Sequence, residues 1–143
     1  MPDSRPAFPR VLLLRSASSS CFFTHDHKGN RQRLVSLCRE GKYETAQKEL
    51  YAADAVSREP EATPAFPQET RGLAAIVEKG HKFAAMIEHL HARSVSDPLV
   101  ARNSFACTMR LDVTMKGQGR MDVAELCVYL VKDGKIVSEQ FHL

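Results

Sequence analysis

The stretch CVYLVKDGKIVSEQF, residues 127–141, holds an Asp-Gly pair, Asp133-Gly134, between two apolar runs. An Asp-Gly pair in this setting is among the strongest sequence signals for a tight β-hairpin turn, because such turns need residues that tolerate positive φ angles. The stretch therefore predicts one strand, a turn at Asp133-Gly134 and a second, antiparallel strand.

The residues before this hairpin have the composition and the alternation of further strands. The four predicted strands are HLHARSVSDPLVA (residues 89–101), SFACTMRLDVTM (104–115), RMDVAELCVYLV (120–131) and KIVSEQFHL (135–143). We expect the first of them to bend or bulge near Asp97-Pro98, because proline cannot donate a hydrogen bond to a ladder. The second half of the chain is thus predicted to form a four-stranded antiparallel meander.

Two helices are predicted at the start of the folded region. Asn30 is a suitable cap for the first, and Gly41 supplies its stop. Its apolar stripe consists of Leu34, Val35, Leu37 and Cys38. The second is predicted over Tyr43–Ala53, and Ala46, Leu50 and Tyr51 are expected to face inward.

A short extended segment, AVSREP (residues 55–60), follows, and Pro60 is expected to end it. The proline-rich loop EATPAFPQE (61–69) leads to a third helix, for which Thr70 is the predicted N-cap. Its predicted buried stripe is Leu73, Ile76, Val77, Gly80, Ala84 and Ile87, and the opposite face carries Glu78, Lys79 and Lys82. Helices followed by strands predict an α+β domain in which the sheet curls over the helices.

Residues 1–29 differ from the rest in composition, with three prolines, a serine cluster and no sustained periodicity. We expect them to be a poorly ordered N-terminal extension or an over-extended start of the reading frame, because free termini are commonly poorly ordered. The expected domain is then 30–143. Four basic and two acidic residues lie in 1–29, so the expected domain is nearly neutral.

Charge and hydropathy argue against two classes of partner. A nucleic-acid-binding protein should show a basic face, which a nearly neutral domain does not predict. No apolar run approaches the length that crosses a bilayer. The four cysteines, Cys21, Cys38, Cys107 and Cys127, form no CxxC pair, which is typical of reduced thiols and predicts a cytoplasmic protein.

The order of the predicted elements and two stretches carry a family resemblance. LVSLCREGKYETAQKELYAADAVSREPEA (residues 34–62) and the hairpin at 127–141 resemble the SnoaL-like proteins of the nuclear transport factor 2-like superfamily, relatives of ketosteroid isomerases and polyketide cyclases. The resemblance covers about residues 30–143. It implies a cone-shaped α+β barrel in which three N-terminal helices pack on a curved, mainly antiparallel sheet around a deep pocket.

The resemblance also implies roles for single residues. In ketosteroid isomerases the general base is the acidic residue directly before the proline of the first strand, and that position here is Glu59. A tyrosine and a protonated aspartic acid hold the oxyanion in those enzymes. The corresponding positions here are Leu34 and Cys127, so both donors are absent and ketosteroid isomerase activity should be feeble or nil. The cyclases also use an acid at the position of Cys127.

Strand alternation places Met121, Val123, Glu125, Cys127 and Tyr129 on one face of their strand. The resemblance turns this face inward, together with Glu139 and Phe141 of the last strand and Met109, Leu111 and Val113 of the strand before. The ligand-binding residues that it implies are Glu125, Cys127, Tyr129, Glu139, Phe141, Met109, Leu111, Phe83 and Leu34. In the alternative interpretation, Glu59 pairs with Arg58 or water, and Glu125 or Glu139 faces solvent or pairs with Arg110 or Arg120.

Sequence motifs for cofactors and metals are missing or incomplete. Neither GxGxxG nor GxxxxGK[ST] occurs, and GxSxG is also absent. His89 and His91 are two residues apart, a spacing that zinc sites sometimes use, but the spacing identifies no third ligand. We therefore expect no cofactor and no metal.

Two functions remain open from the sequence. The first is a binding domain for a small hydrophobic, carbonyl-containing molecule that performs isomerase, dehydratase or cyclase chemistry with Glu59 as base. The second is a non-catalytic binding or assembly module that dimerises through the outer face of the sheet. The outer-face residues are Ala106, Thr108, Thr114, Ala124, Leu126, Val128 and Leu130. A large open cavity favours the first function and a closed core favours the second.

Overall fold

The computed structural model describes residues 26–143, so most of the predicted N-terminal extension and Cys21 lie outside the described residues. The helices are α1 (Asp26–Arg39), α2 (Tyr43–Leu50) and α3 (Leu73–Met86). The strands are β1 (Tyr51–Arg58), β2 (Glu69–Arg71), β3 (Ile87–Val95), β4 (Leu99–Val100), β5 (Ser104–Met115), β6 (Gly119–Lys132) and β7 (Lys135–His142).

All seven strands belong to one sheet, in the order β2-β1-β7-β6-β5-β3, with β4 paired to β5. Every pairing is antiparallel except that of β1 with β7, which is parallel. The meander predicted from the sequence is therefore present as β3/β4, β5, β6 and β7. The parallel pairing places β1, which follows α2, beside the final strand.

One core fills the space between the three helices and one face of this curved, unclosed sheet. It combines Leu34 and Val35 of α1 and Ile76 of α3 with Cys127 and Tyr129 of β6, all at most 2% exposed. We call the helix-facing side of the sheet the concave face and the other side the convex face. The predicted α+β architecture, three helices on a curved and mainly antiparallel sheet, is confirmed.

The Asp133-Gly134 turn has the backbone conformation that was expected for a tight β-hairpin. Asp133 and Gly134 both have positive φ angles, 51° and 76°, as a two-residue turn between twisted strands requires. Lys132 pairs with Lys135 across it. The side-chain amide of Asn30 donates a hydrogen bond to the Gly134 carbonyl at 2.7 Å, so the turn also contacts α1.

The bend predicted near Asp97-Pro98 is also confirmed. The structure breaks this segment into β3 and β4, and both pair with β5. Ser96 lies in the break, where its backbone N–H donates to the Thr108 carbonyl at 3.0 Å and its hydroxyl oxygen accepts from the Thr108 N–H at 2.9 Å. These bonds replace the regular ladder at the bend.

Several predicted helix boundaries were wrong. Helix α1 begins at Asp26, four residues before the predicted cap Asn30, whose side chain instead contacts the hairpin turn. Helix α2 ends at Leu50 and not at Ala53, because Tyr51 already has extended backbone angles, φ −92° and ψ 145°, and begins β1. Pairing with β7 explains why these residues extend rather than continue the helix.

The start and faces of α3 also differ from the prediction. Thr70 lies in the short strand β2 and does not cap the helix, which Gly72 precedes with a φ of 90°. Ala84, predicted to be buried, is exposed. Lys79, predicted on the solvent face, has a side chain that is only 13% exposed. The buried stripe of α3 is therefore rotated toward Lys79.

Candidate functional site

Cross-strand pairing arranges the concave face in five rows of side chains. From the closed end to the open end, the rows are Ser57–Glu139–Tyr129–Phe105, Phe141–Cys127–Cys107, Glu125–Met109–Val95, Val123–Leu111–Arg93 and Met121–Val113–Leu90. In the first row, Glu139 is 4% exposed and Tyr129 is 2% exposed, whereas in the last row Leu90 is 38% and Met121 is 40% exposed. The concave face is thus closed at the first row, while in the last row Leu90 and Met121 are open to solvent on either side of Val113, which is 1% exposed.

Glu59 follows β1 directly and lies at the edge of this face. Its Oε1 is 2.8 Å from the Nζ of Lys79, which also donates to the hydroxyl oxygen of Ser57 at 2.6 Å. The side chain of Glu59 is 26% exposed, so it reaches both the ion pair and solvent. Lys79 Nζ lies 5.5 Å from the centre of the Phe141 ring, which places the ion pair beside the second row.

Lys79 was missed in the sequence analysis because charged helix residues were assigned to the solvent face. A signal was available: Lys79 lies three residues after Ile76 and four residues before Phe83, which is the spacing of one helix face. A long side chain on that stripe can place its charged end beside a carboxylate while its methylene groups pack on apolar neighbours.

Glu139 lies deeper in the same group, buried in the first row. Its carboxyl group accepts a hydrogen bond from the hydroxyl of Tyr51 and is also hydrogen-bonded to Ser57. Burial raises the pKa of Glu139, and the negative charge of Glu59 adds to this, while the hydrogen bonds from Tyr51 and Ser57 act in the opposite direction. An unbroken chain of polar contacts therefore joins Tyr51, Glu139, Ser57, Lys79 and Glu59.

Glu125 is a third carboxyl group on the concave face, one row nearer the open end than Cys127. Burial, followed by the negative charges of Glu59 and Glu139, raises the pKa of Glu125 to about 7, and Lys79 opposes this. Within residues 26–143 its side chain makes no hydrogen bond and no ion pair.

The two positions that the resemblance assigns to oxyanion donors are both buried in the core. Leu34 is 1% exposed and Cys127 is fully buried. The Cys127 thiol lies opposite Cys107 on β5, and a hydrogen bond between the two thiols, with burial, raises the pKa of Cys127. A neutral thiol is a weak donor, so neither position offers a strong hydrogen bond to a ligand.

The remaining predicted ligand-binding residues have different surroundings. Tyr129 stacks on Phe105 with ring centres 4.8 Å apart, as a part of the closed core. Met109 and Leu111 are partly buried in the third and fourth rows. Phe83 is 37% exposed on α3, and its ring centre is 6.4 Å from that of Phe66 in the proline-rich loop.

An open cleft of about 540 Å³ lies where β1 and β7 end. It is lined by Arg58, Glu59, Pro60, Gln68, Glu69, Gln140, Phe141, His142 and Leu143. Glu59 and Phe141 belong to both the cleft and the concave face. A second hollow of similar volume lies on the surface of α2 and α3, lined by Lys48, Ala53, Leu73, Ala74 and Val77.

The ion pairs that the sequence left open are not formed: Arg58 does not bind Glu59, and neither Arg110 nor Arg120 binds Glu125 or Glu139. Arg58 binds Glu69, with Nε 3.2 Å from the carboxylate, and Glu59 binds Lys79 instead. On the convex face, two arginine–aspartate pairs are bidentate: Nε and Nη2 of each guanidinium group donate to the two oxygens of one carboxylate. These pairs are Arg110 with Asp122 and Arg120 with Asp112. Neither arginine is therefore paired with Glu125 or Glu139.

The histidine pair lies on the surface. The His89 and His91 rings are exposed, with centres 4.6 Å apart, and His91 Nε2 is 2.7 Å from the hydroxyl oxygen of Thr114. In the part of the chain that the structure describes, no three His, Cys, Asp or Glu side chains are placed to hold a metal ion. No helix within the same residues is long and apolar enough to cross a membrane.

A family model described as SnoaL-like domain matches residues 27–143. A solved structure from Mesorhizobium loti, assigned as a SnoaL-like polyketide cyclase, is 28% identical with a TM-score of 0.75, covering 82% of this chain and 98% of its own. A Bacillus subtilis protein assigned as an isomerase is 21% identical, with a TM-score of 0.61 and coverage of 81% and 84%. An NTF2-like protein of unknown function from Burkholderia pseudomallei shares the fold at 10% identity, with a TM-score of 0.70 and coverage of 84% and 92%. No curated protein matches this chain.

Proposed function

The chain belongs to the SnoaL-like domain family, and on this basis we propose that it binds a small hydrophobic molecule and transfers a proton on it, with Glu59 as the general base. The observation that carries the proposal is the position of Glu59, which lines an open cleft while its Oε1 lies 2.8 Å from the Nζ of Lys79. A structural relative assigned as a polyketide cyclase, 28% identical to this chain, supports chemistry of the acid/base class.

The contacts of Glu59 suit a base better than a surface charge. A base must be held within hydrogen-bond reach of the proton that it removes, and one oxygen must stay free to take that proton. Lys79 contacts Oε1 of Glu59, and among residues 26–143 Oε2 has no hydrogen-bond partner. Ser57 holds the same ammonium group, so the position of the carboxylate is fixed by two elements, β1 and α3.

The concave face offers an apolar surface for the rest of the ligand. Its last row exposes Leu90 and Met121, at 38% and 40%, and Phe83 of α3 is exposed to a similar degree. Large apolar side chains left accessible on the inner side of a curved sheet are typical of a ligand site. The proposed ligand therefore has an apolar body and a carbonyl group whose neighbouring carbon is the proton donor.

The proposal is tested by ligand binding and turnover. We would measure melting shifts and isomerase, dehydratase and cyclase turnover with apolar ketones, polyketide-like molecules and fatty acids. Glu59→Gln should abolish turnover and leave ligand binding and the melting temperature almost unchanged, and the exposed Glu61→Gln is the matched control. Full turnover in Glu59→Gln would exclude Glu59 as the base.

A second candidate function, a homodimeric binding or assembly module, is favoured by the convex face. Leu126 and Leu130 are 41% and 47% exposed there, and Leu99 of the adjoining β4 is 77% exposed. A stable interface commonly buries about 800 Å² on each partner, and these exposed leucines are the apolar side chains that such an interface would cover. Sedimentation should find a dimer at micromolar concentration, and a monomer at high micromolar concentration would contradict this function.

A further inference from the structure

We propose that Arg93 binds an anionic group of the ligand, so that the molecule held on the concave face is an apolar carboxylic acid. The inference rests on the proposed function, because it names the ligand class and a further binding residue on the same face of the sheet. It does not require Glu59 to act as a base, so binding measurements alone can test it.

Arg93 lies on the concave face, in the fourth row of side chains. It is on β3, opposite Leu111 of β5, and it is partly buried. Its guanidinium group lies over the ring of Tyr43, 5.3 Å from the ring centre, and against the turn at Gly41, where an added Cβ would clash with it. The side chain therefore reaches from the sheet to the turn between α1 and α2.

Arg93 has fewer polar contacts than the other arginines that are withdrawn from solvent. Within residues 26–143 three arginines are buried or partly buried: Arg31, Arg58 and Arg93. Arg31 donates to two backbone carbonyls at 3.3 Å, and Arg58 binds the carboxylate of Glu69. Arg93 forms no ion pair within the same residues, and its buried Nε has no hydrogen-bond partner. A partly buried charge without a counter-charge is costly, and a ligand that brings a negative charge offsets part of that cost.

The titratable groups beside Arg93 do not balance its charge. Burial raises the pKa of the Cys38 thiol and of the Tyr43 hydroxyl, and the opposing charge of Arg93 does not offset it, so both groups are neutral at pH 7. The carboxyl groups of the concave face belong to β6, to β7 and to the end of β1, and β5 lies between them and Arg93. An acidic ligand would therefore bind with its anionic group toward β3.

The side chains around Arg93 suit the apolar part of such a ligand. Leu111 and Val123 of the same row are partly exposed, and Leu90, one row away on β3, is 38% exposed. Neighbouring strands are about 4.8 Å apart, so a body of about 10 Å spans this row from β3 to β6. An anion that binds among apolar side chains is less screened by water, which strengthens its attraction to the guanidinium group.

Three probes with the same ring system and different charges test the ligand class. We would measure by calorimetry, at pH 7 and low salt, the binding of 2-naphthylacetic acid, of its neutral amide and of the cationic 2-(2-naphthyl)ethylamine. The acid should bind about 10–100-fold more tightly than the amide, as expected for a charge-assisted hydrogen bond, and the amine should bind most weakly. Equal affinities of acid and amide, or tighter binding of the amine, would overturn the proposal.

Variants of Arg93 test where the acid binds. Arg93→Gln should lower the affinity for the acid to that for the amide and leave the affinity for the amide unchanged. Arg93→Lys keeps the charge but not the planar fork, so it should retain part of the preference. Arg102→Gln, at an exposed position, is the control and should match the wild type. If Arg93 only supports the fold, Arg93→Gln should lower the melting temperature and keep the full preference for the acid, which would overturn the proposal.

One measurement on the unaltered protein avoids any folding defect of the variants. The Nε–H of Arg93 is buried, so it should exchange slowly with water and give a resolved NMR signal, which its contacts with the Tyr43 ring protons identify. This signal should shift when the acid binds and stay in place when the amide binds at the same occupancy. A signal that the bound acid leaves unmoved would show that the acid binds away from Arg93.

The outcomes separate this inference from the proposed function. If the acid and the amide bind equally well, the role of Arg93 is overturned and the binding of apolar molecules stands. If none of the three probes binds, ligand binding on the concave face is overturned, and the role of Arg93 with it. Turnover of Glu59→Gln tests the base alone, because Glu59 and Arg93 lie at opposite sides of the sheet, after β1 and on β3.

Discussion

The ammonium group of Lys79 lies 2.8 Å from the carboxylate of Glu59, although 20 residues separate them in the chain. Lys79 belongs to α3 and Glu59 follows β1, so this ion pair joins helix α3 to the end of strand β1. Both side chains are partly buried, 13% and 26% exposed, so solvent screens the pair less than it screens a surface ion pair. The position of the proposed base therefore depends on α3.

Lys79→Met should disable the site without unfolding the protein. The methionine keeps most of the apolar contacts but removes the positive charge, which leaves Glu59 unanchored and Ser57 without its donor. We expect turnover to fall about 10–100-fold, as for the loss of a positioning group, and stability to fall by about 1–3 kcal/mol. Steady-state kinetics and urea unfolding measure both effects. Lys132→Met, at an exposed position of β6, should change neither.

The parts of the fold that local patterns specify were predictable from the sequence. The Asp133-Gly134 turn, the strand alternation that puts Cys127 and Tyr129 on one face and the bend at Pro98 all arise from residues close together in the chain. Backbone conformation and side-chain alternation are local properties, so a local pattern is sufficient to predict them.

The contacts that build the site were less predictable because they join distant segments. The parallel pairing of β1 with β7 brings Ser57 beside Glu139, 82 residues away, and nothing in either segment specifies that partner. The same pairing ends α2 early, because Tyr51 joins the sheet and its hydroxyl binds Glu139. Glu59 was identified only through the family resemblance, and its role stays a prediction.

Ser57→Ala should destabilise the protein more than its small size suggests. The Ser57 side chain is completely buried, accepts a hydrogen bond from Lys79 and is hydrogen-bonded to Glu139. Alanine would remove a hydrogen-bond partner from both the Lys79 ammonium group and the Glu139 carboxyl group. Each polar group left without its partner in the interior costs about 1–3 kcal/mol. We expect a clear drop in the free energy of unfolding, measured with urea. Ser36→Ala, at an exposed position of α1, should be neutral, and an equal effect of the two would contradict the buried network.

Glu125 should make the protein less stable as the pH rises. Its pKa is raised from 4.5 in the unfolded chain to about 7 in the fold, so its contribution is fully present below pH 4.5 and is lost as the pH rises to about 7. Glu125→Gln lacks this titration, so it should gain stability relative to wild type across that window, by at most about 3 kcal/mol. Urea unfolding at pH 4.5, 6 and 8 measures the difference. A constant difference across these pH values would show that Glu125 titrates normally.

Gly41→Ala should destabilise the turn between α1 and α2. Gly41 has a φ of 74°, which disfavours a side chain, and an added Cβ would clash with the guanidinium group of Arg93. We expect a loss of at least about 1 kcal/mol, because strain and the displaced arginine add. Gly29→Ala is the matched control within α1: an added Cβ meets nothing within 4 Å, so this change should be neutral or stabilise by up to about 1 kcal/mol. Thermal melting of both variants gives the comparison.

Charge placed on the convex face should separate the subunits if the protein is a dimer. Leu126 and Leu130 are four residues apart on the same face of β6. They are 41% and 47% exposed, so neither is needed for the core. The double change Leu126→Lys and Leu130→Lys would bring like charges together in an interface with two-fold symmetry, where the same face meets itself. We expect sedimentation to show a monomer with an unchanged melting temperature when measured at low concentration. Leu143→Lys, at a position that is 82% exposed, is the control and should keep the dimer. A double variant that sediments like the wild type would mean that this face is not the contact between copies.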